Sequence, residues 1–441
     1  MSKKTKPAAK PAAKEGIYDA KTLGAPKVTV LGLQHMFAMF GATILVPMLT
    51  GLDVSTTLLF AGLGTLLFHF LTKWKVPAFL GSSFAFLPGY FAIAPNGEEN
   101  LLPYACVGVA CAGLLYLILS GLIKLFGSKK VMKFFPPIVT GPLIIAIGLT
   151  LSQSALDSCS SNWIVALVAI VLIVVCNIWG KGMIKIVPII IGVIGSYLVA
   201  VALGKVDFSG VAKADWIGWP VHFESTAFWA FKDGDTALLI TSIITIVPIA
   251  LATIVEHVGD ITAISSTVDR NFVEDPGLHR TLLGDGLATI MAALFGAPAN
   301  TTYGENTGVL SLTKVYDPLV IRLAAGFAIL FSFCPKFAAV IGSMPTATVG
   351  GVSLVLYGMI SAVGVRNVVE AKCDFTKSRN VIIAALILVL SIGIKYNTSY
   401  GDGAIKIPLT IGGEATTILV TGLAAGALVG IILNAILPDR D

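Results

Sequence analysis

Residues 298–314 read Pro-Ala-Asn-Thr-Thr-Tyr-Gly-Glu-Asn-Thr-Gly-Val-Leu-Ser-Leu-Thr-Lys, and on both sides the chain is dense with Leu, Ile, Val, Ala and Phe. A polar, carboxylate-bearing break in so apolar a neighbourhood is costly for every group left unpaired. It persists only where it is buried in protein or lines a cavity. The stretch therefore reads as half of a solute site, and the remainder of the chain is expected to supply the other half.

Composition supports a membrane setting. Of 441 residues, 56% are hydrophobic and 12% charged, against roughly 25% charged in soluble domains. The 45 glycines suit helices that approach closely in lipid. A soluble core could not use this much apolar sequence without exposing it. An all-α integral membrane protein follows, with the lipid bilayer as its surroundings. The net charge of +5 does not indicate nucleic acid, because no stacking aromatics interleave the lysines. Cys106, Cys111, Cys159, Cys176, Cys334 and Cys373 lie mostly in apolar runs without CxxC or Cys/His spacing. They read as small core residues, and no metal or cofactor is expected. Residues 1–27, rich in Lys, Ala and Pro, are expected to form a disordered cytoplasmic tail, not a signal peptide.

Apolar runs mark twelve strong spans: Val30–Leu52, Ser55–Leu71, Leu102–Leu125, Phe135–Leu151, Trp163–Ile178, Ile184–Leu203, Ala237–Ile264, Thr281–Phe295, Ile321–Phe333, Gly350–Val363, Val381–Ile394 and Ala415–Leu437. Pro77–Ala94 and Pro298–Thr313 are short and interrupted by Gly and small polar residues, so they read as broken spans. Fourteen spans leave only Lys205, Lys213, Lys232, Lys336, Lys395 and Lys406 outside. That asymmetry places both termini in the cytoplasm. The external connector, residues 204–236, divides the chain into two halves of seven spans, an odd number that implies inverted topology. Two echoes agree with a repeat. Pro77 precedes Phe84 as Pro298 precedes Glu305, and Pro136 precedes Gly141 as Pro345 precedes Gly350. In such architectures the broken elements meet near the midplane.

The eighth span carries Glu256-His257-Val258-Gly259-Asp260. Glu256 and Asp260 are four apart and share a helix face. Intramembrane carboxylates usually face a cavity or a partner; a structural hydrogen bond is the alternative for Glu256, and capping for Asp260. His257, about 100° around an ideal helix from Glu256, reads as a packed, hydrogen-bonded histidine. Glu305 either binds a ligand or caps the half-helix that follows it. Phe84 occupies the matching break of the first half, as packing or as a stacking surface. His35, beside Gln34 in the first span, suits support of a buried site. Two carboxylates, an aromatic ring and irregular backbone fit a small planar solute with N–H and C=O edges. A carboxylate in a site that dries and rewets can take up a proton and release it, so proton coupling is expected. The chain has no Walker A loop, HExxH or Gly-x-Ser-x-Gly, which argues against a pump or a membrane hydrolase.

These residues resemble a known family. Glu305-Asn306-x-Gly308, four residues, then Thr313-Lys314 is similar to the signature of nucleobase–ascorbate transporters. Gln34-His35, Leu80-Gly81-Ser82-Ser83-Phe84-Ala85-Phe86 and Glu256-His257-Val258-Gly259 resemble the bacterial uracil permease branch. The resemblance implies fourteen spans in two inverted repeats, with short strands in spans three and ten. It implies a core domain (28–126 and 237–335), a gate domain (127–203 and 336–437) and a cytoplasmic end at 438–441. Uracil contacts would fall on Phe84, Glu256, Gly304 and Glu305, with Asp260, Glu256 again, His35 and Asn306 in proton coupling or support. A homodimer through the gate is also implied. Some uracil permeases have His where this chain has Asp260, so their proton route does not carry over directly. The expected function is proton-coupled uracil import across the cell membrane. The competing readings are xanthine or urate transport and an uncoupled facilitator or channel.

Overall fold

A computed structural model of the chain describes residues 16–131, 136–397, 403–411 and 414–438. Most of it is helical, and this is a multi-pass membrane protein. Among the described residues, seven helices are long and apolar enough to cross a bilayer: Ala25–Thr50, Val54–Leu71, Leu102–Phe126, Pro137–Ser160, Thr236–Val268, Thr346–Glu370 and Ser378–Tyr396. Phe84–Ile93, Trp163–Trp179, Pro188–Ala202 and Gly422–Ile436 are apolar but shorter. The helix Pro318–Ser332 continues into Pro335–Gly342 through a bend of 86°.

Prolines explain several interruptions. Thr236–Val268 tightens into a 3-10 turn over Val247–Ile249, where Pro248 lacks the N–H that an α-helix would use. Ile184–Leu203, expected as one span, is instead a single turn at Met183–Ile186 followed by a helix that starts at Pro188. The last expected span, Ala415–Leu437, also differs. Its first seven residues form part of an antiparallel hairpin, Ala404–Ile411 against Glu414–Thr421, and helix begins only at Gly422. Thr416, Thr417, Ile418, Val420 and Thr421 are β-branched and favour an extended chain. A third difference lies at the N-terminus. Residues 16–27, expected as the end of a disordered tail, are ordered: Ile17 pairs with Val315, Ala20–Leu23 forms a 3-10 turn, and helix starts at Ala25. Residues 1–15 lie outside the described part.

Two three-residue strands lie in the interior. Strand β1 (Leu80–Ser82) pairs antiparallel with β2 (Asn300–Thr302), with Gly81 opposite Thr301. Both strands are wholly buried, so their backbone groups must find partners within the protein. Around them the helices pack in two groups. Val54–Leu71 lies against Leu278–Leu294 and Pro318–Ser332, and Leu102–Phe126 against Leu278–Leu294. In the second group Pro137–Ser160 lies along Thr346–Glu370 and Ser378–Tyr396, with Trp163–Trp179 beside Pro188–Ala202. The contact between Pro137–Ser160 and Thr346–Glu370 is set by small residues. A Cβ on Gly148 would stand 2.2 Å from the Tyr357 carbonyl oxygen, and one on Gly364 would stand 2.6 Å from the Ile145 nitrogen. Backbones this close gain dispersion contacts that larger side chains would prevent.

Candidate functional site

The strand pair sets the site. Leu80, Gly81 and Ser82 face Thr302, Thr301 and Asn300, and the ladder extends at both ends. The Ser83 N–H donates to the Ala299 carbonyl at 2.8 Å, and the Tyr303 N–H donates to Phe79 at 3.0 Å. Each strand then turns into a short helix: Phe84–Phe86 leads into Leu87–Ile93, and Gly304–Thr313 follows Tyr303. A helix start leaves its first N–H groups without intrahelical acceptors, and at Gly304 the N-cap residue Tyr303 makes no side-chain cap bond.

Surrounding helices hold the strands. The Leu80 N–H donates to Thr65 Oγ1 at 2.9 Å, and His69 Nε2 lies 2.9 Å from the Ala78 carbonyl. Asn300 Nδ2 donates to the Phe60 carbonyl at 2.9 Å, while Thr289 Oγ1 donates to the Asn300 carbonyl at 2.8 Å. The Tyr303 hydroxyl donates to the Ser82 carbonyl at 2.8 Å and accepts from Thr43 Oγ1 at 3.3 Å. Ser82 Oγ returns a bond to the Thr43 carbonyl at 3.0 Å. Tyr303 thus ties the turn before Gly304 to the turn before Phe84.

The carboxylates approach from Ala250–Val268, where Glu256 and Asp260 share a face and are both half-buried. Thr302 Oγ1 donates to Asp260 Oδ2 at 2.8 Å, and a Cβ on Gly304 would lie 3.9 Å from Asp260 Oδ1. Asp260 is therefore joined to the strand that leads into Gly304. On the opposite side, Asn306 Nδ2 donates to the His35 carbonyl at 3.1 Å and lies 3.2 Å from His35 Nδ1. Both residues are buried, so His35 braces the half-helix. Phe84 is half-buried and lies at the edge of three apolar clusters, one of them built largely from the second helix group. Glu305 lies in the first turn of the helix; its side chain is outside the described residues.

Besides the bracing role of Tyr303, an acidic residue in this region has no counterpart in the sequence reading. Asp285, between Gly284 and Gly286, lies 3.0 Å from His257 Nδ1, and both side chains are fully buried. A charged residue inside an apolar helix is a signal in its own right; its partner, 28 residues away, is set only by folding. Among the described residues, no group of three or more His, Cys, Asp or Glu side chains could hold a metal.

Two cavities flank the half-helices. One of about 780 Å³ is bordered by Pro88 and Phe91 after Phe84, by Leu49 and Leu52, and by Ser154 and Met344. The other, about 430 Å³, is bordered by Gly308 and Ser311 after Gly304, together with Phe37, Asn177, Lys185 and Met359. Glu256 and Gly304 line neither cavity.

A permease-family model matches residues 26–399. A uracil permease of Bacillus caldolyticus is 42% identical over 433 residues, covering 96% of this chain and 94% of the relative. The uracil permease of Escherichia coli strain K12 is 37% identical over 418 residues, covering 92% and 90%. Among solved structures, the transmembrane domain of a cyanobacterial bicarbonate transporter, BicA, superposes with a TM-score of 0.58 at 15% identity, covering 95% of this chain and 99% of that one. That likeness concerns the fold alone.

Proposed function

The chain belongs to the nucleobase–ascorbate transporter family of permeases, and on that premise we propose that it imports uracil together with a proton across the cell membrane. The observation that carries the reading is the join at Asp260. Through Thr302 it links the acidic face of Ala250–Val268 to the strand pair and to the start of the Gly304–Thr313 helix. Uracil alternates N–H and C=O groups around a flat ring. Glu256 and Glu305 would accept from its N–H edge, the backbone at Phe84 and Gly304 would donate to its carbonyls, and the Phe84 ring would lie against its face. Asp260, beside Glu256, would exchange the coupling proton, with His35 and Asn306 as supports.

The packing supports fourteen elements in two inverted repeats, with a core (28–126 and 237–335) and a gate (127–203 and 336–437). Shift each element seven places along the chain and the main contacts map onto one another. Leu102–Phe126 on Leu278–Leu294 becomes Pro318–Ser332 on Val54–Leu71, and Trp163–Trp179 on Pro188–Ala202 becomes Ser378–Tyr396 on Gly422–Ile436. The pair β1–β2 and the pair Pro137–Ser160 with Thr346–Glu370 map onto themselves. One cavity beside each half-helix fits alternating access, in which the gate moves against the core. Both termini would face the cytoplasm, and the gate would carry any dimer contact.

Uptake of labelled uracil into cells or proteoliposomes tests this. Accumulation should collapse with a protonophore and be competed by unlabelled uracil well before xanthine. Preferential competition by xanthine would replace the substrate assignment, and accumulation indifferent to the protonophore would replace symport with facilitated diffusion.

A further inference from the structure

We propose that residues 16–20 form a clamp that positions the two acid-bearing helices, with Tyr18 as its main positioning residue; the functional part of this inference rests on the uracil reading above. Near the site, the hydrogen bond from Thr302 to Asp260 joins Ala250–Val268, with Glu256 and Asp260, to the strand that leads into Gly304–Thr313. At their far ends the chain's own N-terminal segment joins them a second time. The Ile17 N–H donates to the Lys314 carbonyl at 2.8 Å, and the Tyr316 N–H donates to the Ile17 carbonyl at 2.8 Å. The next residue reaches the other helix, where the Tyr18 hydroxyl donates to the Val268 carbonyl at 2.7 Å.

Further contacts fix the strap. The Arg270 guanidinium lies 4.5 Å from the Tyr18 ring centroid, and the Tyr18 and Tyr316 rings are 5.4 Å apart. The Ala20 N–H donates to Asp317 Oδ2 at 2.8 Å, while the other oxygen of Asp317 accepts from the Leu319 N–H at 2.9 Å. One carboxylate thus anchors the strap and caps the following helix.

The lever arms give the clamp its leverage. Val268 lies eight residues beyond Asp260 and Lys314 ten beyond Gly304, about 12 and 15 Å at a rise of 1.5 Å per residue. Two helices joined only near one end can still splay at the other. Joined again about 12 to 15 Å away, they hold Glu256 and Asp260 at a fixed distance from the start of the Gly304–Thr313 helix. Both helices end in left-handed residues, Asp269 (φ 58°) and Lys314 (φ 55°). Their last carbonyls would otherwise lack intrahelical partners, and Tyr18 satisfies one of them.

The test uses the full-length protein in lipid nanodiscs and compares wild type with Tyr18→Phe, which keeps the ring, and Tyr18→Ala, which removes it. Amide hydrogen exchange should quicken in 258–268 and 304–314 in both variants, more in Tyr18→Ala, and remain unchanged in 346–370. Uracil Kd should rise about 3-fold in Tyr18→Phe and about 10-fold in Tyr18→Ala, the range expected for a lost hydrogen bond and a lost ring contact. Unchanged exchange in those two segments overturns the clamp, as does wild-type affinity in both variants. Should wild-type protein fail to bind uracil while the exchange pattern holds, the substrate reading falls and the clamp stands.

Discussion

At the scale of single residues, the site depends on hydroxyls that hold backbone in place. Tyr303 bonds the Ser82 carbonyl and meets Thr43, so Tyr303→Phe should leave the protein folded and weaken uracil binding about 5-fold, the worth of about 1 kcal/mol. Isothermal calorimetry with purified protein would read the change. Glu256→Gln should be far more severe, because it replaces a charged acceptor with a neutral one; a loss of at least about 10-fold in affinity, with unchanged membrane insertion, is expected. Wild-type affinity there would remove Glu256 from the site. Glu256, Asp260 and His35 stand out in the sequence because polar groups at membrane depth carry their own signal, whereas Gly304 is singled out only by the family resemblance. Tyr303 and Asp285 were not legible. A tyrosine is unremarkable in an apolar segment, and the carbonyl it reaches lies 221 residues away. Asp285 acquires its meaning from His257, which only packing brings within 3.0 Å.

At the scale of elements, close helix contact constrains substitution. A Cβ at position 148 would stand 2.2 Å from the Tyr357 carbonyl and 2.3 Å from Ser361 Oγ. Backbone cannot yield as a flexible side chain does, so Gly148→Ala should destabilise by about 1–3 kcal/mol and lower the thermal midpoint in detergent. Gly121→Ala, which meets nothing within 4 Å, is the matched control and should cost little. Most helices were readable from apolar runs and their ends from proline and glycine. The stretch Ala415–Thr421 was not, because hydropathy alone does not separate an apolar strand from an apolar helix. Its β-branched residues were the overlooked signal, and they pair in register with Ala404–Ile411. The ordering of residues 16–27 was hidden for another reason: a Lys/Ala/Pro-rich composition dominates the window, while Ile17 and Tyr18 act through partners some 250 to 300 residues away.

At the scale of the whole molecule, the two cavities carry a prediction about motion. Ser154 borders the one beside the Phe84 half-helix, and Ser311 borders the one beside Gly304–Thr313. In a background without the native cysteines, Ser154→Cys and Ser311→Cys should label with soluble thiol reagents, and uracil should change the two rates in opposite directions. Parallel changes would argue against alternating access. The location of the site also has an electrical consequence. The amino end of the Gly304–Thr313 helix behaves as a fractional positive pole set deep in a medium of low dielectric constant, where such a pole would by itself draw in anions. Asp260, whose Oδ1 would lie 3.9 Å from a Cβ on Gly304, is placed to offset that field. The charge that this helix end presents to a solute therefore turns on the acids beside it.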